Sequence, residues 1–336
     1  MSASRKGTHD TLRSFAGLAA SLAMLAGSAS LAVAQTGTIT GTIKVLYPFA
    51  AGGSGDVLTR IVTDQIATAL GTPAIVENRT GAAGRLAGKA VAAAPPDGLT
   101  LLLASSPMMV IYPHSYTTLD YDPVKDFAPV AATAAFDIAL AVGPQMSSKT
   151  KTVAELVAFV RSNPAQASYG SPGAGGLGHF GAVMFATSAK LDLRHVTYRG
   201  AGAVLTDLIA GQLPMAVLPL GDLTEQHKAD KLRALASAGP SRSSFLPDVP
   251  TFKELGFNFE GQGWYGLYAP AKTPPDIISR LNKAVVEGLA KADVKERIAK
   301  LSLEAIPSTP AGLAARQKAD LERWGPIVKA SGFKPE

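Results

Sequence analysis

Thr42-Ile43-Lys44-Val45-Leu46-Tyr47-Pro48-Phe49-Ala50-Ala51-Gly52-Gly53-Ser54-Gly55-Asp56 is the stretch on which the fold turns. Its first six residues are mostly apolar and β-favouring and predict a strand over 42–47, closed by Pro48. The small residues 50–55 make a loop, and Asp56 is a good N-cap for a helix. Val57, Leu58, Ile61, Val62, Ile66, Ala69 and Leu70 then recur at helical spacing until Gly71-Thr72-Pro73 stops them. A strand over 74–77 follows, then a second small-residue loop at 78–84, an Ala-rich helix to about residue 94 and an apolar strand over 100–104. Strands separated in this way by helices are βαβ units, so the sheet is expected to be parallel.

The same grammar resumes further along. Thr152-Val153-Ala154-Glu155 has the capping-box pattern and opens a helix to residue 161. Strands are expected near 167–170, 193–198, 215–218 and 232–237, with helices starting near Gly176, Gly202 and Asp222. Pro274-Pro275-Asp276 starts a helix to about residue 289, and Pro310 another to about residue 329. The reading is an α/β protein of two lobes. Residues 35–137 and 261–336 form a discontinuous first lobe, and 138–260 the second. Ligands of open α/β sheets sit outside the carboxyl ends of the strands. Loops 50–55 and 171–178 both occupy such ends; facing each other across an interlobe cleft, they would clamp a ligand.

The chain has 336 residues, 47% hydrophobic and 17% charged, with 33 Gly and no Cys. The missing cysteines exclude disulfides, thiolate metal sites, a Cys nucleophile and a lipidated N-terminal cysteine. Arg5, Lys6 and Arg13 precede an apolar run over 15–26, and Ala32-Val33-Ala34 fits a signal-peptidase site, so residues 1–34 are expected to be a cleaved secretory leader and the protein periplasmic. An uncleaved anchor over 15–34 is the alternative, but Gly17, Ser21 and the small residues 27–30 interrupt it. The leader holds two of the six net positive charges. No cluster of five basic residues stands elsewhere, so nucleic acid is not an expected partner.

Gly173-Ala174-Gly175-Gly176-Leu177-Gly178 spells G-x-G-x-x-G after a strand, with Asp192 near the spacing of a ribose-binding acid. It opens the second lobe of an exported chain, where a dinucleotide has little place. The physics of the loop survives without the motif: glycines let backbone approach an anion, and a helix N-terminus offers unpaired N–H groups. One such loop is adequately explained as a tight turn; two at strand ends point to a site. His114, His179, His195 and His227 show no metal-binding spacing, so neither metal nor cofactor is expected. No G-x-S-x-G elbow occurs. An exported hydrolase or isomerase using His179 with Ser54, Ser105 or Ser171 remains the enzymatic alternative. His195, near a strand start, reads as a packing or hydrogen-bonded residue without a catalytic role.

Residues 48–56 resemble the P-F-x-P-G-G-x-x-D signature of Bug-type periplasmic receptors, the solute-binding subunits of tripartite tricarboxylate transporters. The similarity continues through Asn78-Arg79-Thr80-Gly81, Pro96-Asp97-Gly98, Tyr121-Asp122-Pro123, Tyr169-Gly170-Ser171, His195-Val196-Thr197-Tyr198-Arg199-Gly200, Leu246-Pro247-Asp248-Val249-Pro250, Trp264-Tyr265-Gly266 and Arg323-Trp324-Gly325-Pro326. The resemblance implies a two-lobed, type II-like periplasmic-binding-protein fold that closes on a small carboxylate. It further implies a non-enzymatic monomer that delivers its ligand to the membrane subunits of a transporter, or that informs a sensor protein. Loops and resemblance together give an expected ligand set of Phe49, Ala51, Gly52, Gly53, Ser54, Asp56, Ser105, Ser171, Gly175, Gly176, His179 and Tyr198. Within it Gly53, Ser54, Ser171 and Gly175 should hold the carboxylate, while Phe49 and Tyr198 wall the ligand body.

The chain departs from the family pattern where Ala51 replaces Pro, Gly55 replaces Thr or Ser, Ala174 and Gly176 replace Asn and Thr, and Val217-Leu218 replace Phe-Asp. A pocket without those groups should be roomier and less polar, suited to a monocarboxylate or an apolar-bodied acid.

Overall fold

The computed structural model describes residues 39–257, 259–331 and 333; the leader and its cleavage site lie outside the described residues. Strand β1, Ile43–Tyr47, is buried except at Lys44. Helix α1, Ser54–Leu70, buries Leu58, Ile61, Val62 and Ile66 on one face, each contributing about 1.5–3 kcal/mol. It ends at Gly71, whose φ of 62° is the left-handed stop that glycine provides. Asp56 is not the N-cap. The glycine run lets the chain turn into the helix earlier, Gly53 caps it, and Asp56 falls in the first turn. There its carboxylate reaches back to accept the Gly52 N–H at 3.2 Å.

Strand β2 is Ala74–Asn78, helix α2 Arg85–Ala92 and strand β3 Thr100–Ser105. Strand β4, Phe127–Val142, is 16 residues long, and the sequence reading has no strand there. Helix α3, Val153–Ser162, opens with the expected capping box. Then come β5 Ser168–Pro172, α4 Leu177–Ala189, β6 Arg194–Tyr198, α5 Ala201–Ile209, β7 Met215–Pro219, α6 Leu220–Lys228 and β8 Arg233–Ser237. Strand β9, Gln262–Pro270, is likewise absent from the sequence reading. Helices α7 Pro275–Ala290 and α8 Ala292–Ala299, the short strand β10 Glu304–Ala305 and helix α9 Pro310–Ala330 complete the chain. No helix of the described residues is long and apolar enough to cross a membrane.

The strand order is β2-β1-β3-β9-β4-β7-β5-β6, with β8 and β10 also on β4. Parallel pairing holds among β1, β2 and β3 and among β5, β6 and β7. The fully parallel sheet expected from the βαβ pattern is corrected at β4 and β9, which pair antiparallel with each other and with their neighbours. These two strands carry the chain between the two halves, and a returning strand needs no helical crossover. Strand β4 belongs to both sheets: it pairs with β9 up to Asp137 and with β7 from Ile138. The result is a two-lobed α/β molecule whose lobes share one strand. Helix α9 is fastened to β9 by the Trp264 indole N–H on Asp320 (2.7 Å) and the Tyr268 hydroxyl on Gln317 (2.9 Å).

Candidate functional site

The carboxyl ends of β1, β3, β5 and β7 converge on one place, contributing Tyr47, Ser105, Pro172 and Pro219 to the lining of an inner cavity of about 60 Å³. Both glycine loops reach it, through Phe49, Ala50, Gly53 and Gly55 on one side and Gly176, Leu177 and Gly178 on the other. Each loop ends in a helix N-terminus without a side-chain cap: Gly53 for α1 and Gly176 for α4. Most of the remaining wall is apolar, from Pro107, Phe136, Ile138, Ala201 and Val217. A wider cleft of about 950 Å³ shares Phe49 and is lined by His179, His195, Tyr198 and Phe333.

The loops touch across the cleft. The Ala50 N–H donates to the Arg199 carbonyl (3.3 Å), and the Tyr116 hydroxyl to the Ala174 carbonyl (2.7 Å). A cavity of this size holds a handful of waters, so this is a closed arrangement.

Three polar groups meet inside. Tyr47 and Tyr265 are hydrogen-bonded through their hydroxyls, and Asp222 stands beside both. Asp222 Oδ1 accepts the Ser54 N–H at 2.7 Å, so a carboxylate of the chain itself sits on the first turn of α1. Burial pushes the Asp222 carboxyl up to about 6, with the hydrogen bond from the Ser54 N–H working the other way. Burial likewise raises both phenols, and Asp222 adds to the rise. Asp222 is the third residue of α6, in its first turn just beyond the end of β7. The strand-end rule that singled out the two glycine loops applies equally there. Tyr47 was legible by the same rule, as the last residue of its strand.

The expected ligand set divides. Phe49, Gly53, Ser105 and Gly176 line the inner cavity. Ser54 is buried at its edge with its N–H already given to Asp222. Ala51 and Gly52 are exposed at the loop tip. Asp56 is a loop-bracing group: besides Gly52 it accepts from Arg60 (3.2 and 3.3 Å) and from Asn78 (2.8 Å). Its position in the first turn aims the carboxylate back over the loop. Ser171 is fully buried with Oγ 2.8 Å from His195 Nε2, so it pairs with His195 rather than His179. Gly175 has φ 69° and donates its N–H to His179 Nδ1 (3.1 Å), which fixes the second loop.

His179 and Tyr198 face the outer cleft, and the Tyr198 hydroxyl donates to Asp207 (2.7 Å). The His179 and His195 rings lie 4.2 Å apart and Tyr169 stacks on His195 at 4.9 Å. Burial lowers His179 to about 4. Burial and then His179 lower His195 to about 3. Both are therefore neutral near pH 7. His195 is a hydrogen-bonded packing residue that joins Ser171 and His179 in one cluster.

Two departures from the expected pattern acquire a geometry. A Cβ on Gly55 would collide with the Tyr47 hydroxyl and lie 2.7 Å from that of Tyr265. The hydroxyl expected on residue 55 is thus replaced by a phenol from β1. Val217 lines the cavity, whereas Leu218 is buried in the apolar cluster behind β7. The acid in the cavity wall is Asp222. Among the described residues no group of three metal-ligating side chains exists.

Residues 58–333 match the family described as the tripartite tricarboxylate transporter family receptor. Protein BugT of Bordetella pertussis is 29% identical over 294 residues, 87% of this chain and 90% of its own. The structure of MatC from Rhodopseudomonas palustris with bound malate superposes with a TM-score of 0.81 at 31% identity, over 85% of this chain and 98% of that one. A second R. palustris protein, solved with adipate, gives 0.84 at 28% identity over 88% and 99%.

Proposed function

The chain belongs to the tripartite tricarboxylate transporter receptor family, a family of periplasmic solute-binding proteins rather than enzymes. From that premise we propose that it captures a small carboxylate in the inner cavity and delivers it to the membrane subunits of a tripartite transporter. Malate and adipate in the two R. palustris structures support the ligand class. The observation that carries the reading is the convergence of two glycine-started helix N-termini, that of α4 without a side-chain cap, on one largely apolar cavity. Such ends attract a carboxylate through N–H groups and the helix dipole, without a basic side chain. Contacts from both lobes to one ligand favour the closed arrangement, which is the form a permease would read. The proposal includes lobes at 35–137 with 261–336 and at 138–260, supported by the change of β4's partner between Asp137 and Ile138. It also includes export by cleavage after Ala34 and action as a monomer.

A thermal-shift screen of residues 35–336 against mono-, di- and tricarboxylates tests the reading. At about a hundred times Kd a ligand adds roughly 2.7 kcal/mol, a rise of several degrees. Absence of any shift at millimolar carboxylate would overturn it. Gly53→Val then locates the site. The Cβ of residue 53 lies 3.4 Å from Asp222 Oδ1 and 3.6 Å from Ala201 Cβ, so the γ-methyls of Val crowd the cavity edge. The variant should melt cooperatively yet lose the shift; an unchanged shift would move the site elsewhere.

A further inference from the structure

Among the described residues Asp222 is the only charged side chain in the wall of the inner cavity, and no Lys, Arg or His shares that wall. The two helix ends that converge on the cavity are therefore not equivalent. At α1 the Ser54 N–H is already spent on Asp222 Oδ1 (2.7 Å), while the Gly176 end of α4 carries no side-chain cap. Beside Asp222 stand the hydroxyls of Tyr47 and Tyr265, bonded to each other. A ligand carboxylate placed against this group would set two like charges together in a poorly hydrated cavity.

We propose that Asp222 is a specificity-determining residue. It occupies the anion place of the first glycine loop and so selects a monocarboxylate whose far end bears a hydrogen-bond donor, a hydroxyl or an ammonium. The ligand's carboxylate lies at the α4 end, near Gly176, and its donor is accepted by Asp222. The aromatic and aliphatic wall between, including Phe136 and Val217, encloses an apolar body. This inference rests on the carboxylate reading of the site and deepens it. Asp222 remains largely ionised at neutral pH even with its carboxyl raised to about 6. An acceptor left bare by a ligand without a donor loses its hydration for nothing, which is how buried polar groups reject such analogues.

The test uses two matched sets of probes that differ only at the far end: benzoate, 4-hydroxybenzoate and terephthalate; hexanoate, 6-aminohexanoate and adipate. Calorimetry on the mature wild-type chain should find the donor-bearing member tightest in any set that binds, by about ten-fold or more. Asp222→Asn keeps an acceptor for the Ser54 N–H but no charge. It should cut that preference to a few-fold and strengthen the dicarboxylate. Adipate or terephthalate binding tightest to the wild type would overturn the inference and leave the carboxylate reading standing. A donor preference that survives unchanged in Asp222→Asn would remove Asp222 from the role. If no member of either set binds while the thermal-shift screen finds another carboxylate that does, this inference falls and the carboxylate reading stands; if the screen finds none, both fail.

Discussion

At residue 55 a loss on paper is a substitution in space. Read along the chain, glycine there is a missing hydroxyl; in the fold, the Tyr47 phenol occupies the room a side chain would need. Position 55 is therefore coupled to position 47 rather than free. Gly55→Ala should destabilise the protein by about 1–3 kcal/mol, because a methyl group must push two hydrogen-bonded phenols apart. In the Tyr47→Phe background part of that penalty should vanish, leaving a coupling of about 1 kcal/mol in a double-mutant cycle measured by urea melts. Additive effects would mean that Tyr47 does not fill the space. Asp56 and Asp222 teach the same lesson in opposite directions. Asp56, beside the first glycine loop, reads from the sequence as a cap and a ligand contact, yet it braces its own loop. Asp222 stood 166 residues away, marked only as a helix start, and it is the acid of the cavity. Local pattern shows that an acid is near a helix end; it does not show which way the carboxylate points.

At the scale of elements, the helices and most strands were legible because their signals are local. The apolar spacing in α1, the Thr152/Glu155 capping box and the prolines before α7 and α9 are all confirmed within a few residues. Strands β4 and β9 were not legible. Strand β4 is Ala-rich and buried almost throughout, so no polar alternation marks it, and Pro129 within it argues against a strand. In the fold Pro129 sits at a bulge in the β4–β9 ladder, where a missing N–H is tolerated. Phe136 and Ile138 of β4 and Tyr265 of β9 line the cavity, and without a periodic signature in those strands nothing in the local pattern places them there.

The packing of α4 on β6 has a pH consequence. His179 and His195 are held neutral, at about 4 and about 3, against roughly 6.5 in the unfolded chain. Above pH 6.5 both states are neutral and stability is complete. As the pH falls towards 4 the unfolded chain takes up protons that the folded chain refuses, and stability drains away. His179→Gln should keep about 1–2 kcal/mol more of its own stability than the wild type between pH 7.5 and pH 5, read from urea midpoints. Equal losses in the two proteins would show that the stacked pair does not shape the acid limb.

For the whole molecule, the closed lobes pose a problem of access. The inner cavity is walled by both lobes, and hydrogen bonds such as Ala50 to Arg199 cross its mouth. A ligand of several carbons cannot enter a space of about 60 Å³ without the lobes parting. Strand β4 and the segment that enters β9 carry the chain between the lobes, so these are the connections that must flex. Opening can be tested by forbidding it. A Cβ on Gly200 would stand 3.3 Å from the Ala50 Cβ, close to the separation across a disulfide, and Gly200 has an extended φ of 171° that any residue adopts. The chain has no cysteine of its own, so an Ala50→Cys/Gly200→Cys pair can oxidise only with itself or with another molecule. The monomeric oxidised protein should exchange ligand on a scale of hours rather than seconds, and dithiothreitol should restore fast exchange. The thermal midpoint without ligand should rise, because a loop of about 150 residues is closed in the unfolded chain, worth up to about 5 kcal/mol. If the oxidised protein binds and releases ligand as fast as the reduced one, the mouth between Ala50 and Gly200 is not the route. Access would then have to run through the outer cleft past His179 and Tyr198 without parting the lobes.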